Sequence, residues 1–131
     1  MKNFKITNLS DKDIEGINQL YNYYINETAF TFDIKEKNYE EKKEWAKTFS
    51  DEGPHQCLVA YYNNNFIGFA SSRTFRQKEA YFSSVETSVY IDQAYIGNGY
   101  GRYLLSELLK RISKFGVLRA YAFITKPNKM S

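Results

Sequence analysis

The stretch "YIGNGYGRYLL", Tyr95 to Leu105, places Gly97, Gly99 and Gly101 within five residues and runs straight into a helical pattern. Glycines at such a junction let backbone approach a bound group closely, and the unpaired N–H groups and positive dipole end of the helix favour a phosphate. The same glycines also suit a plain strand-to-helix turn, and on local sequence the two readings stand level. No Lys-Ser/Thr pair follows, which excludes a Walker loop, and the third glycine falls one residue too early for a dinucleotide fingerprint. Nucleophilic chemistry has less to build on. The one cysteine, Cys57, lies in the apolar run "QCLVAYY", with the one histidine, His55, two residues before it at the same strand entry. A buried structural thiol is expected there, and a single cysteine excludes an intramolecular disulfide.

The elements that must position the glycine stretch follow from periodicity and capping. "NFKITNL" reads as a short strand. Ser10 with Asp13 has capping-box spacing, and Ile14, Ile17, Leu20, Tyr21, Tyr24 and Ile25 share one helical face, so a helix is expected from about Asp11 to Asn26. After the aromatic loop "ETAFTFD", Asn38 with Glu41 repeats the spacing and opens a shorter helix carrying Trp45. Three strand-like runs come next: "QCLVAYY", "FIGFASSRTF" and "AYFSSVETSVYI". The first two are joined by "NNN", whose residues tolerate a left-handed turn, which predicts a hairpin. Beyond the glycines, Leu104, Leu105, Leu108, Leu109 and Ile112 mark one helical face, Gly116 supplies a C-cap, and "VLRAYAFIT" is a further strand. Strand, helix and strand make a parallel unit with a right-handed crossover, and the glycines sit at its carboxyl edge, where open sheets bind ligands.

Composition narrows the class. The 131 residues fit a single domain, and 43% hydrophobic with 25% charged residues is ordinary for a soluble globular chain. Aromatic residues make up 18%, enough that many must line a core or a cleft. The net charge of +3 comes from interleaved acids and bases, so no nucleic-acid partner is expected. No apolar run has membrane-span length and "MKNFKITNLSDKD" has no signal-peptide core, which together predict a cytoplasmic protein without a membrane partner.

"VETSVYI" followed by "GNGYGRYLL", with "YNYYINETAFTFD" upstream and "PNKMS" downstream, resembles the GNAT superfamily of N-acetyltransferases. More narrowly it resembles the phosphinothricin and methionine-sulfoximine acetyltransferase branch, over nearly the whole chain and in family order. The resemblance implies an α/β fold, α+β in stricter schemes: one domain over residues 1–131 with a mixed sheet flanked by helices. It implies acetyl-CoA as co-substrate, no metal, and a small amino-acid-like amine as acceptor. Carried over by position, Val89, Tyr90 and Ile91 would meet the pantetheine arm, mainly through backbone groups. Gly97, Asn98, Gly99, Tyr100, Gly101 and Arg102 would hold the pyrophosphate, and Asn128 would contact the cofactor beyond the next strand. Glu86 would be the base that takes a proton from the acceptor's ammonium, directly or through water, and would contact the substrate. Arg76 would bind the acceptor's carboxylate side through its planar fork, with Arg73 as a second candidate, and Phe30 and Phe32 would wall the pocket. The alternatives are another acceptor amine (a polyamine, an antibiotic or a protein N-terminus) or a CoA-binding module without catalysis.

Two positions depart from the family pattern. Ile96 stands where the family usually has Gln or Arg, a change tolerated if the loop binds through main-chain N–H groups. Ser131 matches the serine of the family's Asn-x-x-Ser, so the last helix and two strands of the family fold are not represented in the 131 residues. Exposure of a sheet edge and apolar surface is then expected to drive self-association, a homodimer first.

Overall fold

The computed structural model of the chain describes residues 3–27, 38–74, 84–117 and 119–125. Strand β1 (Phe4–Asn8) is followed by a 3₁₀ turn (Asp11–Asp13) and helices α1 (Ile14–Glu27) and α2 (Tyr39–Ala46). Strands β2 (Cys57–Tyr62), β3 (Asn65–Thr74) and β4 (Ser84–Ile91) come next, then a 3₁₀ turn (Gln93–Tyr95), helix α3 (Tyr100–Ile112), a 3₁₀ turn (Ser113–Phe115) and strand β5 (Arg119–Thr125). The five strands form one sheet in sequence order, β1-β2-β3-β4-β5. Every neighbouring pair is antiparallel except β4 with β5, where the α3 crossover imposes parallel pairing.

Local chemistry sets the element ends. The Ser10 N–H and hydroxyl both donate to Asp13 Oδ2 at the start of α1, at 3.0 and 3.1 Å. At α2, Asn38 and Glu41 exchange side-chain and main-chain bonds of 2.8 and 2.9 Å. Tyr62 pairs with Asn65, so the hairpin loop is only Asn63 and Asn64, both left-handed with φ of 52° and 67°. Positive φ at both loop positions matches the right-handed strand twist, which is why asparagine serves there. Gly116 takes a left-handed φ of 82° after the last turn beyond α3.

Side chains of the sheet alternate between two cores. On one face Val85, Val89 and Ile91 of β4 pack with Leu104, Leu108 and Ile112 of α3. On the other, Val59, Phe69 and Tyr90 pack with Ile17, Leu20, Tyr21 and Tyr24 of α1. Lys42 of α2 is buried beside this second core, its Nζ 3.6 Å from the Tyr21 ring centre and 4.3 Å from that of Trp45. Aromatic faces there take over part of the work of lost hydration. Asp13 is also buried and accepts from the Tyr61 hydroxyl as well as from Ser10. Burial first, and this hydrogen bond second, push the Tyr61 pKa up to about 12.

A bulge makes β3 irregular. Ala60 faces Gly68 while Tyr61 faces Phe66, so Ile67 is the extra residue. Gly68 then lies so close to β4 that a Cβ on it would stand 2.5 Å from the Tyr90 carbonyl oxygen and 2.7 Å from Ile91 Cδ1. The first of these neighbours is main chain and cannot turn aside. Gly68→Ala is expected to lower unfolding free energy by about 1 to 3 kcal/mol in a denaturant titration, the range of an overpacked core site; a loss below about 0.5 kcal/mol, the range of an ordinary surface change, would refute the contact.

His55 is half-buried ahead of β2, and burial together with the positive charge of Arg73 lowers its pKa below 6.5. The unfolded chain therefore takes up this proton at higher pH than the folded one. The contribution is full above pH 6.5 and is lost as pH falls from there towards the lowered folded value. Denaturant midpoints recorded across that interval should fall with pH, and His55→Asn should flatten the slope; an unaltered slope would count against the assignment.

Candidate active site

Strand β4 carries the centre of the site, and its hydrogen-bonding phase decides what it offers. The Asp92 N–H donates to the Ile67 carbonyl at 2.7 Å, across the pair formed by Gly68 and Ile91. That bond makes Gly68 and Ile91 a non-hydrogen-bonded pair, so the main-chain N–H and C=O of Ile91, and of Val89 two residues earlier, turn away from β3 towards the β5 side. The main chain of Tyr90 faces Phe69 on β3 instead. Among the described residues strand β5 accompanies β4 as far as the Tyr90–Thr125 pair, one residue short of Ile91 at the end of β4. Of the three residues expected to meet a pantetheine arm through backbone groups, Val89 and Ile91 have theirs on the β5 side, but those of Val89 lie within the β4–β5 ladder opposite Ile124 and so are taken up by the sheet. Tyr90 contributes its ring to the opposite core, stacked on Phe69 with centroids 5.0 Å apart.

The glycine stretch follows within a few residues. Asp92 Oδ1 accepts the Ala94 N–H at 2.9 Å and starts the 3₁₀ turn, and Asn98 Nδ2 donates to the Tyr95 carbonyl at 3.2 Å. Gly97 and Gly99 are left-handed, with φ of 94° and 82°, and a Cβ on either would meet nothing within 4 Å. The backbone bend, not crowding by the protein, demands glycine at both, and the space outside them is open. Gly99 is the N-cap of α3 and offers no side-chain acceptor. The first intrahelical bond is Tyr103 N–H to Gly99 C=O at 3.0 Å, so the N–H groups of Tyr100, Gly101 and Arg102 precede the helical ladder. Arg102 is exposed beside them. Gly101 rests on β4 itself, where a Cβ would touch Ile91 Cγ1 at 3.4 Å and Val89 Cγ1 at 3.6 Å. Tyr100 anchors the turn by stacking on Phe4, centroids 5.0 Å apart. An open, left-handed turn, uncapped N–H groups and an adjacent arginine fit a diphosphate.

Glu86 is half-buried on β4, directly across from Arg73 of β3 and from Tyr121 of β5. By strand alternation it shares the α1 and α2 face with Ser88 and Tyr90, whereas the glycine turn opens α3 on the opposite face. Phe30, Phe32, Arg76 and Asn128 lie outside the described residues. Cys57 is buried, and that burial raises its thiol pKa against the pull of Lys42, as suits a structural role. Tyr24 is a core residue, as its periodicity predicts, yet its hydroxyl also donates to the Ile91 carbonyl at 2.6 Å. The signal for that second role was the residue type: a fully buried phenol needs a partner that Phe would not.

Among the described residues no helix is long and apolar enough to cross a membrane, and no group of three or more His, Cys, Asp or Glu could hold a metal ion. Residues 17–131 match the model of the Acetyltransferase (GNAT) family. The chain is 35% identical over 123 residues to a phosphinothricin N-acetyltransferase of Streptomyces coelicolor, covering 92% of this chain and 72% of that protein. It is 29% identical over 119 residues to an L-methionine sulfoximine/L-methionine sulfone acetyltransferase of Salmonella typhimurium, covering 91% and 69%. Its fold superposes with a TM-score of 0.80 and 25% identity on a GNAT superfamily phosphinothricin acetyltransferase from Sinorhizobium meliloti solved in complex with acetyl-CoA, covering 88% of this chain and 62% of that one. With its mixed sheet, its glycine turn opening α3 and this agreement over most of its length, the chain belongs to the GNAT family of acetyl-CoA-dependent N-acetyltransferases.

Proposed function

We propose that the chain acetylates the amine of a small amino-acid-like acceptor, of the phosphinothricin or methionine sulfoximine type, at a site strung along β4. One observation carries this reading. A single strand bears the half-buried Glu86, then the β5-facing main chain of Ile91 at its end, and then leads to the uncapped start of α3. A proton acceptor, an arm-binding edge and an anion site thus lie in line. The acceptor class is supported by the names of the Streptomyces and Salmonella relatives.

Bound acetyl-CoA supplies the acetyl thioester. The N–H groups of Tyr100, Gly101 and Arg102, with the Arg102 guanidinium, hold the diphosphate, and the Ile91 main chain aligns the arm at the end of β4. Glu86, about 10 Å along the strand from Val89, takes a proton from the acceptor's ammonium directly or through water, which frees the lone pair for attack. The nitrogen forms a C–N bond to the carbonyl carbon as the C–S bond breaks and its electron pair leaves with sulfur, and the proton that the new amide nitrogen sheds goes, directly or through water, to the departing thiolate to give free CoA thiol. Main-chain N–H groups of β4 polarise the thioester carbonyl. Arg76 would hold the acceptor's carboxylate, and Arg73, exposed and across from Glu86, is the second candidate.

Purified chain given acetyl-CoA and methionine sulfoximine should release free thiol, and Glu86→Gln should cut kcat by roughly a hundredfold or more while CoA affinity changes little. Wild-type turnover in the variant would remove Glu86 as the base, and CoA binding with no turnover on either amino-acid acceptor would remove the acceptor class. Gly99→Ala places a side chain on a left-handed residue beside the diphosphate. It should raise KM for acetyl-CoA about tenfold and leave use of acetyl-pantetheine, which has no phosphate, unaffected. Equal losses with both donors would locate the effect elsewhere.

A further inference from the structure

Tyr24 is 0% exposed, and its hydroxyl bond to Ile91 joins residues 67 apart in sequence. Burial, and after it the neighbouring Tyr23, Asp92 and Tyr90, raise its pKa, so the proton stays on Oη and the group remains a donor at any physiological pH. The accepting carbonyl is no ordinary one. Ile91 ends β4, one residue beyond the last β4–β5 pair among the described residues, with its main chain turned to the β5 side. The following residue is held from the other side, by the Asp92 N–H to Ile67 C=O bond of 2.7 Å. One position back along α1, the Tyr23 hydroxyl donates to Gln93 Oε1. Consecutive tyrosines of α1 therefore grip the end of β4 and the turn that leads to the glycines.

We propose that Tyr24 is a positioning residue for acetyl-CoA: its hydroxyl fixes the Ile91 peptide so that the Ile91 main chain, at the end of β4, is aligned for an amide of the pantetheine arm. A carbonyl oxygen has two lone pairs, so the Ile91 carbonyl held by Tyr24 keeps one for an amide N–H of the arm. The assignment rests on the cofactor reading given above and extends it to α1, a helix that carries none of the residues assigned there.

Tyr24→Phe removes the hydroxyl and keeps the ring against Tyr90 and Tyr23, at centroid distances of 5.6 and 5.2 Å. Calorimetric titration with CoA, steady-state rates with acetyl-CoA and amide exchange are measured on parent and variant. The Kd for CoA and the KM for acetyl-CoA should rise together about fivefold to tenfold, the size of one lost buried hydrogen bond, with kcat within about a factor of two. Exchange at Ile91 to Ala94 should quicken while β2 and β3 stay protected. Tyr23→Phe, which loses a bond to a side chain only, should leave Kd within about a factor of two. A lowered melting temperature with unchanged Kd overturns the proposal, because the bond is then merely structural; so does a fall in kcat at constant KM, which would place the hydroxyl in the chemistry. A parent chain that binds no CoA overturns the cofactor reading itself, and the Tyr24 assignment with it.

Discussion

The close approach of β3 to the end of β4 is the constraint on which the rest of the molecule turns. It needs Gly68, because any Cβ would collide with the Tyr90 carbonyl, and it needs the extra residue Ile67, whose carbonyl takes the Asp92 N–H. Together these set the phase of β4. They turn the main chain of Val89 and Ile91 to the β5 side, stop the strand at Ile91, and hand the chain to the turn that opens α3. Moving the pairing by one residue would send every β4 side chain to the opposite face. Val89 and Ile91 would then leave the α3 core, and the glycine turn would lose its seat on β4.

The second feature is how polar groups are tolerated inside a core so rich in aromatic residues. Tyr90 is the hub of the α1 face, with Tyr21 and Tyr24 edge-on at centroid distances of 5.7 and 5.6 Å. Each buried polar group beside it has a defined partner: Tyr24 the Ile91 carbonyl, Asp13 the Ser10 and Tyr61 donors, and Lys42 the faces of Tyr21 and Trp45. Satisfied in this way, the groups add direction to packing that would otherwise be non-specific. Two of them also tie elements remote in sequence, α1 to β4 and the start of α1 to β2.

Much of the local structure was legible because its causes are local. Ser10 with Asp13, Asn38 with Glu41, the asparagine turn and Gly116 each act within a few residues, and each lies where its spacing indicates. The parallel β4–β5 pair followed from a strand, a helix and a strand in succession. The asparagine loop came out one residue shorter than its three-residue run suggests, because Asn65 joins the ladder opposite Tyr62. Nothing within a few residues of Ile67 or Lys42 marks one as a bulge and the other as a buried cation.

By itself, the sequence determined the types of the elements, their approximate ends, the glycine turn at the mouth of a helix and the motifs that place the chain among the acetyltransferases. Those properties arise from side-chain period, backbone preference and residues close together in the chain. Only the tertiary structure decided that Arg73 stands across from Glu86, that Glu86 and the glycine turn lie on opposite faces of one sheet, and that Tyr24 holds the last carbonyl of β4. These depend on register and on which faces meet across separations of 13 to 67 residues, as the Arg73–Glu86 pair and the Tyr24–Ile91 bond show. Pairings at such range are selected by the closing of the whole core and by no local preference.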